Sequence, residues 1–369
     1  MIVSSLQTGG LRLAFVLGLA ACSSQTDFVP LVDPGRAAGT EHRVLVATNR
    51  LPDTDAEVAF SGERAGAVSF SDVDVWVPAD RVPGEIAYPD RDPDVSTQFA
   101  TTGSRELEGR GAALAALNTR LAAAGRDQKI VFIFVHGYNV SYAGGLYRQA
   151  QMIEDFRAGG VGLLFSWPSA GRLLGYVYDR DSVQYAREDL ADVIALAAAS
   201  DAESVFLLGH SMGTLLVMEA VRHLSLTNRR DVLSRISPLV LAAPDIDVNV
   251  FERQLASLDP RPDPMLVFVS ERDGALQASQ VIRGGHPRLG EGTNIQELQE
   301  NGITVIDLTT LDDGDRIGHT TFASSPELIR IFGDIETMQT TINDAGAGPV
   351  LSPIDQLRVR AGNLIHPAN

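Results

Sequence analysis

Gly209-His210-Ser211-Met212-Gly213 places a serine midway between two glycines, the G-x-S-x-G spacing that serves a hydroxyl nucleophile held on a sharp turn. A serine in a strained backbone conformation leaves no room for side chains two residues to either side, which is the steric reason for the glycines. A serine hydroxyl is a weak nucleophile until a base takes its proton and a third group orients that base. For a serine carried between a strand and a helix, the expected chain order is serine, acid, histidine. Seven histidines compete for the base. His42 and His136 precede the serine, His210 lies inside the turn, and His223 falls about three turns along the following helix. His286 precedes the last expected strand, and His366 sits in the C-terminal tail. His319 remains, in the loop DDGDRIGHTTF, and is the expected base.

The acid should follow the penultimate strand, where MLVFVS runs into Glu271-Arg272-Asp273. Asp273 is the expected acid, with Asp245 and Asp247 of AAPDID as rivals one strand earlier. Two backbone N–H groups are expected to receive the developing oxyanion. One is that of Met212, at the N-terminus of the following helix; the other is that of Tyr138, in the loop His136-Gly137-Tyr138-Asn139. Gly137 lets the backbone approach a substrate, and Gly137, Asn139, Trp167 and Tyr176 are candidate substrate contacts. Tyr138, Tyr142, Trp167, Tyr176 and Tyr178 could together line an acyl or aromatic pocket; equally, Trp167 could be core at a strand end.

These side chains need a scaffold. Six nearly continuous apolar runs read as strands buried on both faces of a parallel sheet: Ile130–Val135, Val161–Phe165, Ser204–Leu208, Pro238–Ala243, Met265–Ser270 and Ile303–Leu308. Between them lie helical patterns. In 183–197 apolar residues recur at three- and four-residue spacing, and 214–224 is apolar over most of its surface. Strand–helix alternation predicts a doubly wound, mostly parallel α/β sheet with helices on both faces. HRVLVATNR and VSFSDVDVWVP are expected to add a hairpin at one edge. The interruptions at 168–182 and 283–300 could shape a pocket but are too short for a large cap domain.

Hydrophobic residues at 44% and charged residues at 21% fit a globular domain with a sizeable core. A net charge of −17 argues against a nucleic-acid partner, because phosphate binding needs clustered Lys and Arg. No HExxH spacing and no cysteine cluster is present, so neither a metal nor another cofactor is expected. The single cysteine, Cys22, ends the nine-residue apolar run LAFVLGLAA, too short to span a bilayer. The stretch resembles a bacterial lipoprotein signal, with Cys22 lipidated; an ordinary cleaved signal is the alternative. The expected organisation is a signal over 1–21, a flexible tether over 22–41, the catalytic domain over 42–342 and a tail over 343–369. The expected location is the bacterial envelope, anchored to a membrane and facing the periplasm.

Across residues 42 to about 335 the chain resembles the α/β-hydrolase superfamily. Within it, the chain is similar to a family of bacterial hydrolases carrying an HGYN loop, an FSWPS strand end and an HSMG elbow. Here these are His136–Asn139, Phe165–Ser169 and His210–Gly213, accompanied by Ala47–Arg50, Ala243–Asp245 and Ser270–Asp273. The resemblance implies esterase- or lipase-like chemistry through Ser211, His319 and Asp273. The expected reaction is hydrolysis of small or medium, water-soluble carboxylic esters. An acyltransferase using the same triad, and a scaffold without activity, are the other readings.

Overall fold

The computed structural model describes residues 26–125, 128–157, 160–282, 285–310, 320–325 and 329. An apolar run such as Ile130–Val135 can hide every side chain only if both faces of its sheet are covered, because successive residues point to opposite sides. The structure does this. Val131, Ile133 and Val135 join one core cluster, while Phe132 and Phe134 join a second on the other face.

Nine strands form one sheet among the described residues. They are β1 (Gly39–Pro52), β2 (Phe60–Pro78), β3 (Ala100–Leu107), β4 (Ile130–Val135), β5 (Val161–Ser166), β6 (Ser204–His210), β7 (Ile236–Ala242), β8 (Met265–Val269) and β9 (Thr304–Asp307). Their order is β3-β2-β1-β5-β4-β6-β7-β8-β9. From β1 across to β9 every pairing is parallel; β2 and β3 add an antiparallel edge. Helices α1 (Gly109–Ala123), α3 (Tyr176–Ala198) and α4 (Met212–Leu226) cover the face bearing Val131 and Ile133. Helix α2 (Tyr142–Phe156) packs Leu146, Tyr147 and Ala150 on the face bearing Phe132 and Phe134. This is the doubly wound architecture expected from the alternation of elements, with no separate cap among the described residues. Among the described residues, no helix is long and apolar enough to cross a membrane.

Three expectations change. The edge is a three-stranded antiparallel unit rather than a hairpin, because ATTGSREL, polar in sequence, pairs with β2 as β3. The helix expected over 183–197 starts seven residues earlier, at Tyr176, so half of the 168–182 loop is helical. The tether expected over 22–41 is not free where it is described; its first residues, 22–25, lie outside the described set with the signal segment. Val29 N–H donates to Glu57 O at 2.6 Å, Val32 N–H to Thr101 O at 2.9 Å, and β1 already begins at Gly39. The Thr101 hydroxyl lies 2.6 Å from Pro30 O, Tyr147 donates to Phe28 O at 3.2 Å, and Arg91 stacks on the Phe28 ring. Composition alone reads this strap as a linker because its bonds are made by backbone groups, which any residue carries.

The expected consequence is measurable. Thr101→Val removes the hydroxyl bond to Pro30 and should cost about 1 kcal/mol locally. Hydrogen exchange at the Val29 and Val32 amides should then speed about fivefold. Amides of 29–32 that exchange at unprotected rates in the native protein would mean a free tether after all.

Candidate active site

The carboxyl ends of β4, β6, β7 and β8 face one edge of the sheet, where loops from neighbouring strands converge. Ser211 sits there between β6 and α4, with φ 52° and ψ −124°. A non-glycine residue in that region costs about 1–3 kcal/mol and persists only where its surroundings hold it. Ser211 N–H donates to Ala242 O at 2.9 Å. Its carbonyl accepts from Thr214 N–H at 3.0 Å, Thr214 Oγ1 at 2.6 Å and Asp245 N–H at 3.3 Å. A Cβ on Gly213 would collide with Val135 O and His136 O, and one on Gly137 would stand 2.9 Å from Ser211 Cβ. The two glycines therefore let the loop after β4 pack directly on the elbow. Met212 opens α4, so its N–H belongs to the first turn, which has no intrahelical acceptor.

The loop 136–140 is held from behind by Arg50 at the end of β1, whose side chain is 1% exposed. Its Nε donates to Ser166 Oγ at 2.9 Å, and its Nη1 donates to Ser169 O at 2.9 Å and Ser61 O at 3.2 Å. Its Nη2 donates to Val140 O at 2.8 Å and lies 3.3 Å from His136 Nε2. Burial pushes the Arg50 pKa down to about 10, and the nearby Asp179 carboxylate opposes that shift. Asp179, fully buried in the first turn of α3, accepts from Ser169 Oγ at 2.5 Å, Ala170 N–H at 2.7 Å and Asn139 N–H at 3.2 Å. Burial raises the Asp179 pKa, while those three donors and Arg50 lower it. Ser169 thus bridges anion and cation, its hydroxyl on Asp179 and its carbonyl on Arg50.

The three candidate acids have different employments. Asp245 is sealed among Ser279 Oγ (2.7 Å to Oδ1), Tyr176 OH (2.8 Å to Oδ2) and Arg288 Nε (3.4 Å to Oδ1), with its pKa raised by burial. Asp247 caps the helix α5 (Val248–Leu255), accepting from the N–H groups of Asn249 and Val250. Asp273, 1% exposed, follows β8 and takes the N–H groups of Ala275 and Leu276 on Oδ1, each at 3.0 Å. The chain leaving β9 touches the same loop, because Glu271 N–H donates to Thr309 Oγ1 at 3.0 Å. His319, like Cys22, lies outside the described residues; Thr320 beside it is within them.

Of the two readings open for Trp167, pocket wall or core, its surroundings favour the core. Its side chain has no exposed surface, stacks on His136 at 5.1 Å between centroids, and donates its indole N–H to His136 O at 2.7 Å. It braces the loop and does not line a pocket. Asn139, 8% exposed with φ 57°, gives its N–H to Asp179. Tyr176 packs edge-on against Tyr138, with 5.4 Å between centroids, and its hydroxyl is taken up by Asp245 and Ser279. Burial and the Asp245 charge raise its pKa. Its neighbours Leu174 and Val177 stand 98% and 72% exposed, so this segment shows more apolar surface than its charged residues suggest. Arg50, Asp179, Ser279 and Arg288 carry roles that the sequence did not disclose. The available signals were an arginine ending an apolar strand and an aspartate among apolar residues at the start of a helix.

Residues 110–335 match a family described as an alpha/beta hydrolase of unknown function (DUF900). No curated protein matches the chain. Solved structures similar to it include esterase B from Lactobacillus rhamnosis, at 12% identity over 96% of both chains with a TM-score of 0.37. An uncharacterised protein from Bacillus cereus is 16% identical over 60% of this chain and 62% of that one, with a TM-score of 0.38. An esterase structure from Rhizomucor miehei is 14% identical over 93% and 92%, with a TM-score of 0.35.

The Arg50–Ser169–Asp179 link generates a test of stability. Arg50→Met and Asp179→Asn should each cost about 2–4 kcal/mol, since each leaves several buried hydrogen-bond partners unanswered and removes the opposite charge that offsets the other. The double variant should lose less than the sum by about 1 kcal/mol or more, read by urea unfolding of all four proteins. Simple additivity would show that the two charges do not cooperate.

Proposed function

The chain belongs to the family of alpha/beta hydrolases of unknown function (DUF900), and on that premise we propose that it hydrolyses carboxylic esters through Ser211, His319 and Asp273. The observation that carries this reading is the backbone of Ser211, held at φ 52° between β6 and α4 with Gly137 packed against its Cβ. Strain of that kind, maintained by bonds from three elements, has a use if it thrusts a hydroxyl at a substrate.

In this mechanism His319 takes the proton of Ser211 Oγ as the oxygen attacks the ester carbonyl. The carbonyl oxygen becomes an anion received by the N–H groups of Met212 and Tyr138, each such donor contributing about 3–4 kcal/mol to the transition state. The tetrahedral intermediate collapses, the alcohol leaves with the proton from His319, and water then releases the acid by the same steps in reverse. Asp273 accepts the second imidazole N–H, fixing the tautomer and stabilising the imidazolium. Supporting Asp273 over Asp245 is the enclosure of Asp245, whose two oxygens already answer Ser279 and Tyr176. Small or medium acyl groups suit a site whose neighbouring interruptions, 168–182 and 283–300, are too short for a large cap. The same reading holds the domain at the cell envelope through a lipid on Cys22, supported by the apolar run that ends there.

Two outcomes follow for the purified protein with nitrophenyl esters of graded chain length. Ser211→Ala should lower kcat by about 10⁴-fold or more without unfolding the protein, and adding His319→Ala should deepen the loss little. Near-normal turnover by the serine variant would end the proposal. Asp273→Asn should cost up to about 10⁴-fold in kcat by favouring the wrong imidazole tautomer. Asp245→Asn should mainly lower the melting temperature; the reverse pattern would move the acid to Asp245.

A further inference from the structure

Arg50 has five N–H donors and no acceptor, and five acceptors surround it: Ser166 Oγ, Ser169 O, Ser61 O, Val140 O and His136 Nε2. The first four are oxygens that accept in any state. The fifth accepts only if the imidazole carries its single proton on the other nitrogen, Nδ1. That nitrogen lies 3.0 Å from Gly137 O, within donating distance. The ring has no freedom to tilt away, being 1% exposed and stacked on Trp167 with 15° between planes. Only a flip that exchanges the two nitrogens is open to it, and Arg50 decides between the two states. Burial, and then the charge of Arg50, push the His136 pKa down to about 3, so the ring stays neutral.

A peptide group is planar and trans, so its C=O and the following N–H point in opposite directions. Holding Gly137 O on the side of the His136 ring directs Tyr138 N–H to the other side. Gly137 itself lies against Ser211, with room for no Cβ between them. We propose that Arg50 is a positioning residue for the reaction: it fixes His136 in the Nδ1-protonated tautomer, whose N–H pins Gly137 O and thereby presents Tyr138 N–H to the anion formed at Ser211. The inference rests on the reading of Tyr138 N–H as an oxyanion donor. It adds a line of control running from the end of β1, through an uncharged histidine that never touches substrate, to the stabilising group.

The test joins a spectroscopic readout to a kinetic one. In protein labelled with ¹⁵N-histidine, long-range ¹H–¹⁵N spectra report which ring nitrogen is protonated, and the signal lost in His136→Phe identifies His136. The native protein should show a proton on Nδ1 that does not titrate across the neutral range. His136→Phe keeps a flat ring against Trp167 while removing both nitrogens. Arg50→Lys keeps the charge but replaces a planar fork with a single ammonium that cannot reach five acceptors. Both variants should lower kcat per folded molecule by about 10²- to 10³-fold, the loss of one oxyanion donor, with KM little changed. A merely structural Arg50 would reduce the folded fraction and leave kcat of the remainder intact, and that result overturns the proposal. A proton on Nε2 in the native protein overturns it as well. Should the native protein turn over no ester, the reading of the reaction fails, and the tautomer alone decides whether Arg50 governs His136.

Discussion

A guanidinium sealed inside a protein is costly unless its charge is balanced and its N–H groups are answered, since leaving such groups bare costs several kcal/mol. Arg50 has its N–H groups answered from three segments: the start of β2 at Ser61, the end of β5 at Ser166 and Ser169, and the loop after β4 at His136 and Val140. The opposing carboxylate, Asp179, belongs to α3 and binds Asn139 of that loop as well as Ser169. These segments are therefore not free to settle independently. The loop that packs on Ser211 takes its position from two buried opposite charges behind it, joined through Ser169.

The elbow depends on that arrangement and on a second buried cluster. Ser211 is tied to β7 through Ala242 O and to the following loop through Asp245 N–H. Asp245 in turn gathers Tyr176 from α3, Ser279 from the helix α6 (Gly274–Ile282) and Arg288 from the segment paired with Asp247. The two clusters meet where Tyr176 packs on Tyr138. Strain at one residue is sustained in this frame because the bonds that maintain it come from elements already fixed by the sheet, by the Arg50–Ser169–Asp179 link and by the Asp245–Arg288 pair.

Much of this architecture was legible in sequence, for a physical reason. Strands buried on both faces must be continuously apolar, and each of the six runs identified that way is a strand of the parallel part of the sheet. The strand-then-helix setting of Ser211 was equally plain, since the spacing of Gly209 and Gly213 states the crowding of the turn. What escaped was whatever is decided by partners distant in the chain. β3 is polar because one side of an edge meets solvent, and the strap at 26–32 is held largely through backbone groups. Arg50 and Asp179 look like ordinary surface charges until the fold closes over them, more than a hundred residues apart in sequence. Trp167 reads as pocket or core with equal ease, and its burial, its stacking on His136 and its indole bond to His136 O assign it to the core.

The central claim is that the strained serine is an activated nucleophile with an anion site in front of it. A fluorophosphonate tests this without knowledge of the substrate, because its phosphorus is attacked only by an activated hydroxyl and the adduct needs the same anion donors. Intact-mass and peptide mass spectrometry of the treated full-length protein should find one adduct per chain, on Ser211, absent when the protein is first unfolded in urea. A native, folded protein that takes up no phosphonate, or that carries it on a different residue, would contradict the account.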